Sequence, residues 1–375
     1  MKKIFIGVDV SKKKLDVSVI SAQNQEVIPA PKYVGQFENT KGGCAQIVKA
    51  VGRMHKDSAP EDWLFCVETT GGYSRLICDT MCEKGLAIWR ESALQIKWSK
   101  GVVRQKDDRT DSGVIAEYAM RHEDQCVPYV PDSQSVKDLK ALYACRERLV
   151  NDRKAYRNRL KEAKSTMPAG AVKDAICDGL EKQIALADRL LRKTEQSMLA
   201  IIDGDHALHD SYARVTSIVG VGMVTAVGMI IHTNNFREGT DSRKFCCYCG
   251  LAPFREQSGT SVDKKACVRH LSNLQMKATL SQAALVAIKH NPDMMRYYLR
   301  LVNSGKHRNI ALNNVKCKLV HIAFSLVRNG QYYEAYHEEK RRLRFGKRLG
   351  IHIGKTCPLT VPLSYAKIAT EEANQ

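Results

Sequence analysis

The sequence predicts an α/β domain followed by a long region that is almost wholly helical. Three observations carry this. Short β-rich runs alternate with helix-spaced runs as far as about Ala119, two long apolar stripes at alternating spacings of four and three follow, and the remainder is helix-spaced and compact. At 375 residues the chain exceeds the size at which single cores stop growing, so several domains are expected. The divisions read from the pattern are an α/β domain over 1–127, a helical coiled-coil hairpin over 128–205, a mostly helical domain over 206–335 and a basic tail over 336–375.

Within the first domain, Lys3 to Val10 and Leu15 to Ile20 are β-rich and flank a basic turn, Ser11 to Lys14, which predicts a hairpin. Glu26 to Val34 is expected to add a third strand, and Gly42 to Met54 has helical spacing. Trp63 to Val67 is a short, fully apolar strand ending at Glu68 and the turn Thr69 to Gly72. A helix from about Tyr73 to Lys84, a strand near Leu86 to Trp89 and a helix from about Asp108 complete the order. Cys126 to Ser135, with two prolines, reads as a linker.

Leu139, Leu142, Leu149, Tyr156, Leu160 and Ala163 then form one stripe, and Leu180, Ile184, Ala187, Leu191, Thr194, Met198 and Ile201 form another. Ten basic residues stand against four acidic ones between Lys137 and Lys164, either a solvated face or a nucleic-acid surface. Farther on, Ser217 to Gly222 is expected to open an apolar helix, its paired glycines either exposing N–H groups to a phosphate or allowing close packing. Helices are expected over Asn273 to Lys289 and Asn309 to Val327.

Composition narrows the function. Lys and Arg total 59 against 40 Asp and Glu, and this excess of +19 favours a polyanionic partner, nucleic acid first, over a small neutral metabolite. The apolar run Ile4 to Val8 is too short for a signal peptide, and the uncharged stretch Val215 to Ile231 is short for a membrane span, so a cytoplasmic protein with no membrane partner is expected. Thirteen cysteines without an export signal suit a reducing compartment.

Four carboxylates stand out. Asp9 interrupts a strand apolar on both faces, where an ionised group is costly unless a cation pairs with it. Glu68 repeats the situation at the end of the second buried strand, and Asp108 and Asp111, three apart at a helix start, share a face. Such an oxygen-rich set suits Mg²⁺ or Mn²⁺, and two ions about 4 Å apart can clamp a phosphodiester. Taken singly, each is as well explained as a capping or turn residue.

The arrangement resembles the RNase H-like fold of RuvC-type nucleases. More closely, Gly7-Val8-Asp9-Val10-Ser11-Lys12, Val67-Glu68-Thr69-Thr70-Gly71-Gly72-Tyr73 and Asp108-Arg109-Thr110-Asp111 with Ala116-Glu117 resemble the acidic blocks of the DEDD transposases of the insertion-sequence-110 family, related to Piv-type invertases. Gly250-Leu251-Ala252-Pro253 followed by Ser258-Gly259-Thr260-Ser261 resembles the C-terminal block of that family, whose serine is the recombination nucleophile. Ser217 to Gly222 and Lys316 to Val320 are similar too. Asp107 adjoins Asp108 and also shares a face with Asp111, but the family spacing selects Asp108; Ser112 stands where the family usually has Ala.

The resemblance implies a recombinase that mobilises an insertion sequence through metal-assisted cleavage and a serine–DNA intermediate. It implies Asp9, Glu68, Asp108 and Asp111 as metal-binding and catalytic residues and Ser258 as nucleophile. Double-stranded DNA, a structured guide RNA and a homo-oligomer, dimer or tetramer, are the implied partners. Arg255 and Arg269, with His270, would supply cationic donors around a phosphate beside Ser258, and Lys340, Arg341, Arg342 and Arg344 would track a backbone.

Other readings stay open. Without the resemblance, Ser258 and Ser261 read as polar turn residues. A junction-resolving nuclease would use the four carboxylates alone, and a non-catalytic architectural protein would use only the basic faces. Cys246 and Cys249 with Cys267 and His270 have spacing compatible with a zinc site, although burial as small apolar residues explains the first pair as well.

Overall fold

The computed structural model describes residues 3–22, 29–69, 71–99, 108–258, 262–267 and 272–335. The chain divides into two compact units, Met1–Asp132 and Ser133–Gln375.

The first unit is built on five strands. β1 (Lys3–Val10) turns through Ser11, whose N–H donates to the Lys14 carbonyl at 2.9 Å, into the antiparallel β2 (Lys14–Ala22), and β3 (Lys32–Glu38) pairs outside it. After α1 (Lys41–Met54), β4 (Trp63–Glu68) runs parallel to β1. After α2 (Arg75–Glu83), β5 (Ala87–Glu91) runs parallel to β4. The order β3-β2-β1-β4-β5 gives the mixed sheet expected of an RNase H-like domain.

Both sheet faces are covered, which is why β1 and β4 read as nearly unbroken apolar runs. Ile4, Ile6, Val8, Phe65 and Val67 bury against Cys44, Ile47 and Val51 of α1 and Ile77, Cys78 and Met81 of α2. Phe5, Leu64, Cys66 and Trp89 face the other way, onto Ile96 of α3 (Ala93–Ser99) and Ile115, Tyr118 and Ala119 of α4 (Asp108–Arg121).

Two expectations change here. The third strand begins at Lys32 and runs to Glu38, because Pro29 and Pro31 lack the N–H groups a paired strand needs; residues 26–28 of the expected strand Glu26 to Val34 lie outside the described residues. The stretch expected to be a linker lines the sheet instead: Pro128 bridges Trp89, Tyr129 N–H donates to the Ile88 carbonyl at 2.8 Å, and its hydroxyl donates to Asp79 at 2.8 Å.

The second unit opens with two long antiparallel helices, α5 (Gln134–Thr166) and α6 (Ala171–Asp203). Arg146 pairs with Glu195 at 2.8 Å, Arg153 with Asp188 at 2.6 Å and Lys164 with Glu181 at 2.8 Å, so partners step down one helix as they step up the other. Ala187, Leu191, Thr194 and Met198 of the second stripe are buried, as are Leu139 and Ala163 of the first. Val172, Ile176, Leu186 and Leu190 remain exposed.

Helices α7 (His206–Thr216), α8 (Met223–Thr233) and α9 (Ser242–Tyr248) follow. A two-stranded ribbon, β6 (Phe254–Ser258) and β7 (Val262–Cys267), precedes α10 (Leu274–His290), α11 (Pro292–Asn303) and α12 (Arg308–Asn329). Residues 217–222 link α7 to α8 instead of opening the helix. Gly220 adopts φ +103°, and a Cβ there would sit 2.6 Å from Ala287, so this glycine serves close packing on α10. Asn273 caps α10, accepting from the Met276 N–H at 2.9 Å.

Candidate active site

The first unit gathers carboxylates at one sheet rim. In the parallel pair, Val8 is opposite Val67, so Asp9 and Glu68 are the next neighbours at the C-terminal ends of β1 and β4. Side chains alternate along a strand, and Phe5 and Cys66 lie on the α4 side. Asp9 and Glu68 therefore share that side, and both are half-buried.

Gly7 brings the third block to them. A Cβ on Gly7 would lie 2.2 Å from the Ser112 carbonyl and 2.3 Å from the Ala116 nitrogen, so α4 crosses β1 with backbone against backbone. Ser112 is fixed there by a 2.8 Å hydrogen bond between its hydroxyl and that of Ser18 on β2. Asp111, one residue before Ser112, is half-buried, and Asp108 begins the helix. Asp107 lies outside the described residues.

Two further carboxylates on this side escaped the sequence reading. Glu91 ends β5 directly opposite Glu68, and its carboxylate accepts from the Ser92 N–H at 2.6 Å. Burial, with Glu91 adding negative charge nearby, pushes the Tyr118 hydroxyl up to about 12. Asp16 on β2 is the antiparallel partner of Asp9 and is only 5% exposed. The alternation Leu15-Asp16-Val17-Ser18-Val19 marks it as inward on the α4 side, a signal available only once the pairing is known.

Asp9 and Glu68 stand in register with the first turn of α4 against the same strand, carboxylate oxygens being the donor type a hard divalent cation takes, although among the described residues no three such groups are close enough together to hold one.

The serine lies elsewhere, in the second unit. Ser258 pairs with Val262 and Phe254 with Cys267, so Ser258 stands at the far end of the ribbon, with Arg255 on the same strand. The surrounding domain was expected to be mostly helical, and Ser258 to sit in a turn; it ends a strand of this ribbon instead. The segment entering the ribbon is anchored at Leu251: its N–H donates to the Cys246 carbonyl at 2.9 Å, and its carbonyl accepts from Asn313 Nδ2 at 2.6 Å.

Cys246 and Cys249 are buried in the helical core, which suits their role as small apolar residues. The Cys246 thiol is pushed up by a hydrogen bond with Cys317 and by burial. Among the described residues no cluster of three or more His, Cys, Asp or Glu has a metal-holding arrangement. His270, Arg269, Ser261, Lys340, Arg341, Arg342 and Arg344 lie outside the described residues.

The basic face of α5 is partly occupied in holding the hairpin, since Arg146, Arg153, Arg157 and Lys164 all pair with α6. Arg148, Lys154, Arg159 and Lys161 are exposed.

Comparison with known proteins finds matches to both units. A DEDD transposase model of the IS110 family matches residues 6–165, and a model described as transposase IS116/IS110/IS902 family matches residues 212–299. A 43.6 kDa insertion element IS110 protein of Streptomyces coelicolor is 27% identical over 176 residues, which is 47% of this chain and 42% of that protein. The pilin gene-inverting protein of Moraxella bovis is 19% identical over 338 residues, 89% of this chain and 98% of that one. The transposase for insertion sequence element IS1111A of Coxiella burnetii is 25% identical, covering 62% of this chain and 69% of its own. Among solved structures, Thermus thermophilus RuvC bound to a Holliday junction aligns over 34% of this chain and 99% of its own, at 12% identity and a TM-score of 0.23. Matched by two models in the same order, one over the acidic unit and one over the helices and ribbon, the chain belongs to the IS110 family of transposases.

Proposed function

We propose that the protein is a DNA recombinase that mobilises an insertion sequence, guided by a structured RNA, through metal-assisted strand cleavage and a serine–DNA intermediate. The observation that carries this is the contact of α4 on Gly7, which sets the start of that helix beside the strand ends bearing Asp9 and Glu68. Asp9, Glu68, Asp108 and Asp111 would hold Mg²⁺ or Mn²⁺, which when bound supplies charge stabilisation at a phosphodiester.

Ser258 at the ribbon end is the nucleophile. Its Oγ forms a bond to phosphorus, the bond from phosphorus to the departing sugar oxygen breaks, and that oxygen takes up a proton while the serine proton passes to water or a carboxylate. Strand exchange then reverses the step with a new sugar hydroxyl, so the energy of the phosphodiester is conserved. Arg255 and Arg269 stabilise the phosphate charge, and the exposed bases of α5 and the tail hold nucleic-acid backbone. Base pairing by the RNA selects the sequence while the protein holds shape and backbone. The subunits act as a dimer or tetramer.

The experiment is to incubate the protein with Mg²⁺, its RNA and a nicked DNA that traps the intermediate, and then to map the modified peptide. An adduct on Ser258 that is lost in Ser258→Ala and kept in Ser261→Ala is expected. Efficient strand exchange by Ser258→Ala would refute the serine step and leave the four carboxylates to carry the chemistry alone.

A further inference from the structure

Strand β2 sets a second carboxylate directly across from Asp9. Asp9 and Asp16 are antiparallel partners, so their side chains share one face with Cβ atoms about 5 Å apart. Like charges opposed in this way repel each other, and Asp16 is 5% exposed, so little water screens it.

Asp16 is also held in a definite orientation. The Tyr33 hydroxyl donates to Oδ1 at 2.7 Å, and Gln36 Nε2 donates to Oδ1 at 3.2 Å and Oδ2 at 3.1 Å. Residues three apart on a regular strand point to opposite faces. Tyr33 and Gln36 reach the same carboxylate because the β2–β3 register shifts between Val17 and Ser18, so that Gln36 opposes Asp16 and Tyr33 opposes Ser18. Both donors are neutral, so they orient the carboxylate without forming an ion pair with it.

We propose that Asp16 is a positioning residue for the divalent cation at the Asp9–Glu68 rim. Its charge lies behind Asp9, deepens the negative potential at the rim and sets the direction in which the Asp9 carboxylate points. The bulge, Tyr33 and Gln36 are the parts that hold it there. This rests on the metal-binding reading above and adds to it a residue outside the four implied carboxylates.

The alternative is that Asp16 merely ties β3 to β2. That role would change the stability of the metal-free protein and leave its cation affinity alone. The test is a Mn²⁺ titration of the full-length chain without DNA, following free Mn²⁺ by electron paramagnetic resonance, with circular dichroism to verify folding. Wild type is expected to bind saturably, and Asp9→Asn to abolish that binding. Asp16→Asn is expected to raise the half-saturating concentration by about tenfold, the lower end of what loss of a residue behind a ligand costs. Tyr33→Phe, which removes one of the two side chains that orient Asp16 and keeps the carboxylate, is expected to raise it about threefold, below that range.

A folded Asp16→Asn variant with an unchanged midpoint would overturn the inference while leaving the metal site standing. Should that variant fail to fold, an unchanged midpoint in Tyr33→Phe would overturn it equally. Absence of any saturable binding that Asp9→Asn removes would overturn the metal-binding reading itself, and this inference with it.

Discussion

Replacing Gly7 by alanine tests how the acidic rim is assembled. The added Cβ would meet the Ser112 carbonyl at 2.2 Å, the Ala116 nitrogen at 2.3 Å and the Ala116 Cα at 2.9 Å. All three are backbone atoms, so no rotamer change can relieve the clash, and α4 must retreat by about 1 Å to regain ordinary contact. Overpacking of this kind costs about 1–3 kcal/mol. In a unit of this size that lowers the melting temperature by roughly 3–6 °C per kcal/mol. The same retreat carries Asp108 and Asp111 away from Asp9 and Glu68, and a displacement of about 1 Å at a reacting site can cost about a hundredfold in rate. Thermal unfolding of the full chain and Mg²⁺-dependent cleavage of a labelled DNA measure the two effects separately. Cleavage near the wild-type rate in Gly7→Ala would refute the claim that this contact positions the third acidic block, whatever the change in stability.

Asp9→Ala and Glu68→Ala are each expected to abolish recombination while leaving nucleic-acid binding largely intact, and full activity in either would remove that residue from the metal site. Neutralising Lys340, Arg341, Arg342 and Arg344 together should weaken binding to every sequence and flatten its salt dependence. The slope is expected to fall by about one for each phosphate that the tail no longer neutralises, read from binding isotherms at several salt concentrations. His232 of α8, packed between Tyr143 and Tyr248, is held down to about 4 by loss of water around the ring, with Lys140 adding repulsion. The unfolded chain therefore binds the extra proton first, so this contribution to stability is present above about pH 6.5 and is lost as the pH falls toward 4. Because part of His232 is solvent-exposed the effect is expected to stay below about 1 kcal/mol, and His232→Gln should flatten acid unfolding curves in that window.

Asp9 and Glu68 were legible because each breaks or ends an apolar run, a local anomaly that needs no partner to be noticed. The same holds for β1, β4 and the two stripes of the helical hairpin, where burial on both faces or one helix side imprints a period on the sequence. Glu91 and Asp16 were not legible. Each is an ordinary charged residue in a strand, and its place beside Glu68 or Asp9 exists only through the register of β5 on β4 and of β2 on β1. The ribbon that carries Ser258 left no trace either, because Phe254-Arg255-Glu256-Gln257-Ser258 has no apolar face and its strand state rests on pairing with Val262–Cys267.

What the sequence determined by itself is therefore the set of local facts: an α/β first part, a helical remainder, a strong positive charge, and carboxylates in expensive positions. Only the tertiary structure decided that Gly7 is the point where α4 lands and that Asp16 faces Asp9. It alone showed that Pro128 and Tyr129 line the edge of the sheet and that Ser258 ends a ribbon. The reason is physical. Periodicity records the burial of one element against an average interior, whereas register, close backbone approach and cross-strand pairing depend on which two distant segments meet, and no local pattern encodes that choice.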